Sequence, residues 1–308
     1  MQNVQLLWNN VEQQIDETIE QLVQQKSSYA AKSLKLALLL GGVVTLFCFI
    51  PGGLYPLIGL GTFLLVWLIC WLYSIHKLNT RYKSQVMPKL LQTVCPGAIY
   101  EPKGTLTKDI FKGAEMYPTG WGEKFENEDT IRGKVGKTDF VYGEVELYHM
   151  QSTGKSAVKV VDFKGFVFEA DFNKHFNGTT MLTSEKGFLS NVGPGLFSKM
   201  KRCKLEDVDF ERLYTTYTTN DQEARYILTP ALQQRIMEMN KVFSTQLGDK
   251  HLSMSFRGSR LLIAVPSKTN RFEVKFNLAE VKKDLLALST MIDVIEQLNL
   301  NLRIWSKE

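Results

Sequence analysis

The sequence predicts an α+β protein that has a two-helix transmembrane hairpin and a cytoplasmic antiparallel-sheet domain with helices, preceded by an amphipathic N-terminal helix. Three observations support this class. Residues 36–75 carry no charged side chain, residues 3–29 repeat apolar side chains at helical spacing, and several stretches after residue 100 alternate with the two-residue period of strands. The predicted divisions are 1–33 (amphipathic helix), 34–76 (hairpin), 77–99 (helical stalk) and 100–308 (sheet domain).

The amphipathic helix carries a heptad-like apolar stripe on one face. The stripe consists of Val4, Trp8, Val11, Ile15 and Leu22. Its opposite face is acidic, which disfavours adsorption to anionic lipid. Two interpretations stay open. The stripe pairs between chains in a homo-oligomer, or it packs against the chain's own residues 82–94 or C-terminal helix.

The hairpin is predicted from two apolar runs, Leu36–Ile50 and Leu54–Ile75, on either side of Pro51-Gly52-Gly53. A helix needs about 20 apolar residues to span a bilayer. Proline lacks a backbone N–H and the glycines tolerate positive φ, so the chain can turn between the runs. The alternative is a pair of buried helices in a soluble core.

The charges that flank the hairpin predict its orientation. Lys26, Lys32 and Lys35 precede it, Lys77 and Arg81 follow it, and the connection between the runs is uncharged. Because positive charge favours the cytoplasmic side, both termini of this multi-pass protein are expected in the cytoplasm. The stalk that follows contains Pro88, which predicts a kink or a break in its helix.

The sheet is predicted from four stretches rich in Val, Phe, Tyr and Thr. They are Thr130–Val135, Asp139–Gln151, Lys159–Asp171 and Gly178–Thr183. Gly136-Lys137 suits a tight hairpin between the first two. A short helical turn is expected at Asp109–Phe111, and the acidic run from Glu123 to Asp129 is expected to be a solvated loop rather than a cation site.

Residues 185–204 combine glycines, large apolar side chains and a basic cluster. The side chains concerned are Phe188, Leu189, Leu196, Phe197, Lys199, Lys201, Arg202 and Lys204. Such a loop can contact an anionic bilayer surface, where each cation adds up to about 1 kcal/mol. The alternative is that its aromatic side chains fold back into the core.

The remaining elements alternate between strands and helices. We predict a strand at Asp209–Tyr217, a helix from Thr229-Pro230 to about Leu247, and a last helix at Leu278–Asn299. Between these helices we expect a hairpin around Arg257-Gly258-Ser259 and a strand at Phe272–Phe276.

Composition and motifs limit the function. The net charge of +5 over 308 residues falls short of the concentrated basic character of a nucleic-acid binder. The four cysteines match neither a zinc site nor a disulfide framework, which fits a reducing compartment. The histidines are scattered, and no common catalytic motif is present. An enzyme is therefore disfavoured, and neither a cofactor nor a metal is predicted.

Several blocks of sequence, taken together, resemble a known family. The blocks are Phe163–Phe168, Asp171–Lys174, Phe176–Thr179, Asp209–Glu211 and Asp221–Pro230. They resemble the bacterial membrane proteins grouped as DUF3137, a domain of unknown function. The resemblance runs from about residue 100 to the C-terminus and also matches the preceding hairpin. The resemblance implies a bacterial inner-membrane protein. Members are often encoded near LemA-like membrane proteins, which implies a partner of that kind.

Arg225 lies among apolar residues of the last block. A buried or interfacial arginine needs a carboxylate partner, which Asp209, Glu211 or Asp221 could supply. We favour a structural ion pair over a ligand-binding arginine.

The sequence therefore favours a membrane-anchored, non-enzymatic interaction or scaffold protein that is oligomeric and contacts the lipid bilayer. Two alternatives stay open, a module that senses anionic lipid through residues 187–204 and an enzyme of unrecognised class. No nucleic-acid partner is expected.

Overall fold

The computed structural model describes residues 4–47, 55–116, 124–152, 154, 156–184, 199–246, 248 and 252–298. The chain forms two compact units. One, here called the helical unit, comprises Trp8–Lys89 and Phe272–Lys282. The other, here called the sheet unit, consists chiefly of Leu90–Arg271 and the segment from Lys283 onward.

Three helices make up most of the helical unit, and the third of them continues to residue 94 in the sheet unit. Helix α1, Val4–Phe47, runs unbroken for 44 residues through both the predicted amphipathic helix and the start of the first apolar run. Helix α2 is Tyr55–Gln85, and α3 is Met87–Val94. The break predicted from Pro88 is confirmed. The proline occupies the first turn of α3, where its missing N–H has no partner within the helix.

Helix α1 runs antiparallel to α2 and α3. The contacts that join them include those between Gly41 and Phe63, Tyr29 and Lys77, and Thr18 and Lys89. The lysine Nζ of the last contact donates to the threonine Oγ1 over 3.1 Å. Residues further along α2 and α3 contact residues nearer the start of α1. Helix α1 is therefore antiparallel to α2 and α3.

The apolar stripe near the start of α1 is largely buried within this single chain, and its first residue, Val4, is half-buried. Trp8, Val11, Ile15 and Leu22 are each at most 4% exposed. In the helical unit, Lys89 of α3 also donates to the backbone oxygen of Gln14 over 3.1 Å. The packing of one chain therefore covers the face that the sequence also allows to pair between chains.

Residues 272–282 complete the helical unit. Glu273 pairs with Lys83 of α2 over 3.1 Å, and the Val274 N–H donates to the Asn79 side chain over 2.9 Å. Lys26 of α1 lies 4.0 Å from the centre of the Phe276 ring. The strand predicted at residues 272–276 is wrong, because these backbone and side-chain groups bond to helices rather than to a neighbouring strand.

Within the described residues, the sheet unit is built on a seven-stranded antiparallel sheet. Its strands are β1 (Ile99–Glu101), β2 (Lys124–Val135), β3 (Thr138–Ser152), β4 (Ala157–Thr183), β5 (Lys201–Cys203), β6 (Thr215–Thr218) and β7 (Ser253–Pro266). The order is β1-β2-β3-β4-β6-β5, and β7 also pairs with β4. The predicted β2–β3 hairpin is confirmed, with Val135 opposite Thr138 across the two-residue turn.

Strand β4 is the longest strand, with 27 residues, and it contains two of the predicted strands. It pairs with β3 along its first half, with β6 near its end, and with β7 from Gly165 to Leu182. The hairpin predicted around Gly258 is therefore wrong. Both of its expected arms belong to β7 and pair with β4. Gly258 has a positive φ where extra residues of β4 bulge out of the pairing between the two strands.

Five helices complete the described fold. They are α4 (Asp109–Gly113), α5 (Val208–Leu213), α6 (Asp221–Ile227), α7 (Pro230–Gln246) and α8 (Leu278–Gln297). The predictions of a turn at Asp109–Phe111, a helix after Thr229-Pro230 and a last helix are confirmed. Thr229 Oγ1 accepts a hydrogen bond from the Leu232 N–H over 3.3 Å, as an N-cap does.

The strand predicted at residues 209–217 is mostly wrong, because α5 occupies its first part. The Asp207 side chain accepts hydrogen bonds from the N–H groups of Asp209 and Phe210 over 2.9 and 3.0 Å. An aspartate at this position starts a helix. The strand β6 begins after the helix, at Thr215.

The core lies on both faces of the sheet. Phe166 of β4 packs against Phe243 of α7, with ring centres 5.6 Å apart. Phe163 points to the other face and meets Phe111 of α4 at 5.4 Å. Helices and loops on two sides of an antiparallel sheet confirm the predicted α+β class.

We expect Ile15→Asp to destabilise the monomer by roughly 3 kcal/mol or more, because it places a charge in a position that the chain's own helices bury. Thermal unfolding of the detergent-solubilised protein would measure the loss, and light scattering would report the mass. Gln13→Asp, on the exposed side of α1, is the matched control. A variant that unfolds like wild type but has a smaller oligomeric mass would contradict intrachain packing of the stripe.

Candidate functional sites: the apolar helix pair and the acidic cavity

The apolar segments of α1 and α2 expose large side chains to solvent. Between 40% and 62% of each of the following is exposed: Leu36, Leu38, Leu39, Leu40 and Val43 on α1, and Leu60, Leu64, Leu65, Leu68, Ile69 and Leu72 on α2. A soluble protein rarely leaves so many neighbouring large apolar side chains in water. This surface is called the leucine surface below.

The side chains that α1 buries in the same segment are small. Ser33, Ala37 and Gly41 follow one another at intervals of four and are all buried. A Cβ at Gly41 would lie 2.8 Å from the Phe63 Cβ, so the two helices approach closely there. Small residues at this spacing mediate helix packing in membranes. The four-residue spacing is visible in the sequence, but counting apolar residues to find a membrane span does not reveal it.

One helical stretch among the described residues, Leu60–Val94, is long and apolar enough to cross a membrane by length and composition. Within its most apolar window 6% of residues are buried, whereas a core helix of a soluble protein is mostly buried. The described part of α1 ends at Phe47, and the predicted Pro51-Gly52-Gly53 turn lies outside the described residues.

The predicted membrane-surface loop is only partly described. Phe188, Leu189, Leu196 and Phe197 lie outside the described residues. The cations that follow them, Lys199, Lys201, Arg202 and Lys204, are all exposed, and Arg202 lies 3.4 Å from Glu211. Three of these four residues are in or next to β5.

Arg225 lies on α6 at the surface of the sheet unit. Its Nε lies 3.1 Å from Asp221 Oδ2, one helical turn earlier, and its Nη2 donates to the Lys204 backbone oxygen over 2.8 Å. The side chain is 46% exposed, so the burial assumed from its apolar neighbours is absent. An exposed pair of this kind contributes little to stability.

An acidic cavity of about 310 Å³ opens beside β2, β3 and β4 of the sheet unit. Its charged lining consists of Glu126, Glu128, Glu144, Glu146 and Lys164. The expectation that the acidic run is a loop is wrong, because residues 124–135 form β2. The register of β2 and β3 places Glu126 opposite Glu146 and Glu128 opposite Glu144. Like charges directly opposite each other repel, and this pairing could not be read from the sequence.

Glu144 is the buried member of this group. Its Oε1 accepts hydrogen bonds from the Arg271 backbone N–H over 3.2 Å and from the Tyr142 hydroxyl over 3.4 Å. Burial, and next the negative charge of Asp129, raise the pKa of Glu144 to about 8. Asp129 is itself buried at a bulge in β2 and accepts a hydrogen bond from Tyr100. The side chain of Glu144 can therefore hold a proton at neutral pH.

Among the described residues, His149 of β3 lies beside a carboxylate. Its Nδ1 lies 2.9 Å from Asp162 Oδ2 across the β3–β4 pair. The contact joins the neighbouring strands β3 and β4.

Comparison with protein families gives a match to the second half of the chain. A family model described as "Protein of unknown function (DUF3137)" matches residues 161–300. Those residues belong to the DUF3137 family. The matched segment begins inside β4, so it is shorter than the span from residue 100 over which the sequence suggests a resemblance. The DUF3137 segment includes all five sequence blocks, whereas α1 to α3 and the acidic strand β2 lie outside it.

Comparison with solved structures found the crystal structure of the mycobacterial trehalose monomycolate transport factor A, TtfA. The two chains are 15% identical, and the superposition has a TM-score of 0.34 over 68% of this chain and 94% of the other. No curated protein matches the chain.

We expect the stability of the wild type to fall as the pH rises from about 5 to about 8. In this range the folded protein holds a proton on Glu144 that the unfolded chain has released. Each pH unit therefore lowers the free energy of unfolding by about 1.4 kcal/mol for this one proton. Glu144→Gln has no proton to lose, and its amide oxygen can still accept both hydrogen bonds. The variant should be less sensitive to pH and more stable than wild type near pH 8.

Thermal unfolding across this pH range would measure the difference. Glu126→Gln, which removes an exposed carboxylate from the same cavity, is the control and should follow the wild type. Parallel curves for wild type and Glu144→Gln would show that Glu144 is ionised in the folded protein.

Proposed function

We propose that this DUF3137 protein is a membrane-anchored, non-enzymatic scaffold or binding protein whose α1–α2 pair spans the bilayer as a hairpin. The observation that carries the proposal is the change in what α1 buries. Near its start α1 buries Trp8 and Ile15, and further along it buries Ala37 and Gly41 while leucines face outward. Large apolar side chains turn inward in water, whereas in lipid they lose nothing by facing outward.

The positive charges support a boundary between these two segments. Lys26, Lys32 and Lys35 lie where the buried side chains change from large to small, and Lys77 and Arg81 lie at the corresponding level of the antiparallel α2. Lysine and arginine at this depth can extend to the headgroups, and their excess favours the cytoplasmic side. Both termini and the sheet unit would then face the cytoplasm of a bacterial cell.

The surfaces that remain accessible support the scaffold role. The stripe of residues 8–22 is buried within the chain, so association with a second copy or with a LemA-like membrane protein would use the sheet unit or the leucine surface. The sheet unit carries cavities open to solvent, which suits a domain that binds partners or ligands at the membrane.

The anchor is tested by placing arginines on the leucine surface. Each arginine near the centre of a spanning helix costs about 2.5–3.5 kcal/mol on insertion. We expect the double variant Leu39→Arg/Leu68→Arg to be lost from the carbonate-resistant membrane fraction, measured by immunoblotting of fractionated cells.

The matched control is Leu6→Arg/Ile99→Arg, which changes two equally exposed apolar residues outside the proposed spans. It should stay in the membrane fraction at the wild-type level. Retention of both double variants in that fraction would contradict a leucine surface in contact with lipid.

A further inference from the structure

Arg257 and Arg260 of β7 line the same opening although they are three residues apart. In a regular strand such residues point to opposite faces. Gly258 between them has φ 56, and β4 opposes residues 257–260 with the much longer segment 171–179. This bulge turns both guanidinium groups toward one cavity of about 540 Å³, which Lys199 also lines.

The cavity has more positive than negative groups. Of the described residues, three cations line it, against one carboxylate, Glu115. The hydroxyl groups of Ser259 and Thr219 add further hydrogen-bonding capacity. Arg260 is 70% exposed and pairs over 2.7 Å with Glu169, which lines the adjoining cavity instead. Since a guanidinium has five N–H donors, this contact leaves donors for a ligand.

Arg257 is held in place by the segment that ends α4. Its Nη1 donates to the Gly113 backbone oxygen over 2.8 Å, and its Nη2 lies 3.2 Å from Glu115 Oε1. Glu115 has φ 54, in the left-handed region that usually selects glycine after a helix. A non-glycine residue there costs roughly 1–2 kcal/mol. The strained residue keeps a carboxylate against Arg257 and orients its planar group.

A second cavity, of about 410 Å³, adjoins the first and shares both arginines. Its lining includes the apolar side chains of Ile110, Val141 and Leu262. A ligand that places an oxyanion between the arginines could therefore rest an attached apolar group on this part of the sheet.

We propose that Lys199, Arg257 and Arg260 form a binding site for a phosphate group that carries an apolar substituent. Planar guanidinium groups match the oxygens of a phosphate in a bidentate manner, and a lysine adds a third charge. The phosphate can belong to a soluble phosphorylated compound or to a lipid headgroup. The site lies within the sheet unit and does not depend on how the helical unit is anchored.

The test is a calorimetric titration of the full-length protein, held in a maltoside detergent that contains no phosphate group, with inorganic phosphate at constant ionic strength. We expect saturable binding. The double variant Arg257→Gln/Arg260→Gln should bind at least about tenfold more weakly, since it removes two charge-assisted contacts. Arg212→Gln, at another exposed arginine with a carboxylate neighbour, is the control and should leave the affinity unchanged.

The variant Glu115→Gln separates a loss of phosphate binding at the site from a loss caused by misfolding. It removes the carboxylate that competes with the ligand for Arg257, so the affinity for phosphate should rise about three- to tenfold. A titration in nanodiscs that contain phosphatidylglycerol shows whether the natural phosphate ligand is a lipid headgroup or a soluble compound. If the headgroup occupies the site, these nanodiscs abolish the phosphate heat of the wild type. If the ligand is soluble, they leave it unchanged. No saturable binding of phosphate in detergent, or binding that the double variant retains, would overturn the proposal.

Discussion

The side chains that α1 buries change from large to small along its length, and this change constrains where each part of the chain can lie. Trp8 and Ile15 gain by leaving water when they pack inside the protein. Leucine gains little from protein contact when lipid surrounds it, so helices in a bilayer approach each other through small residues. The later part of α1 buries small residues, among them Ala37 and Gly41. One continuous helix follows both rules, and the lysines between residues 26 and 35 separate the two segments.

The sheet unit depends on a second constraint, the pairing of β4 with three other strands. Pairing with β7 across an irregular register brings Arg257 and Arg260 to one cavity. The neighbouring β2–β3 register sets carboxylates opposite each other, and burial of Glu144 among them makes its protonated form favourable. Both chemically distinctive places in the sheet unit thus arise from strand register rather than from a local sequence motif.

The sequence predicts the elements that local signals determine. Thr229-Pro230 starts α7 and Gly136-Lys137 joins β2 to β3, because caps and tight turns act over a few residues. The sequence did not predict the conformation of segments that depend on a partner distant in the chain. Gly258 fits a turn or a bulge equally well until β4 pairs with it, and Asp207 turns an alternating segment into a helix. The two arginines and Glu144 could not be found as sites, since no spacing reveals their register, whereas the four-residue spacing of Ser33, Ala37 and Gly41 was available in the sequence.

The central claim is that the leucine surface lies in a bilayer while the first part of α1 lies in water. Spin labels at Leu39, Leu65 and Leu6, studied one at a time in lipid vesicles, test it through their collision rates with oxygen and with a water-soluble nickel complex. Labels at Leu39 and Leu65 should collide preferentially with oxygen, which concentrates in lipid, and the label at Leu6 with nickel. Preferential collision with nickel at all three positions would contradict the account.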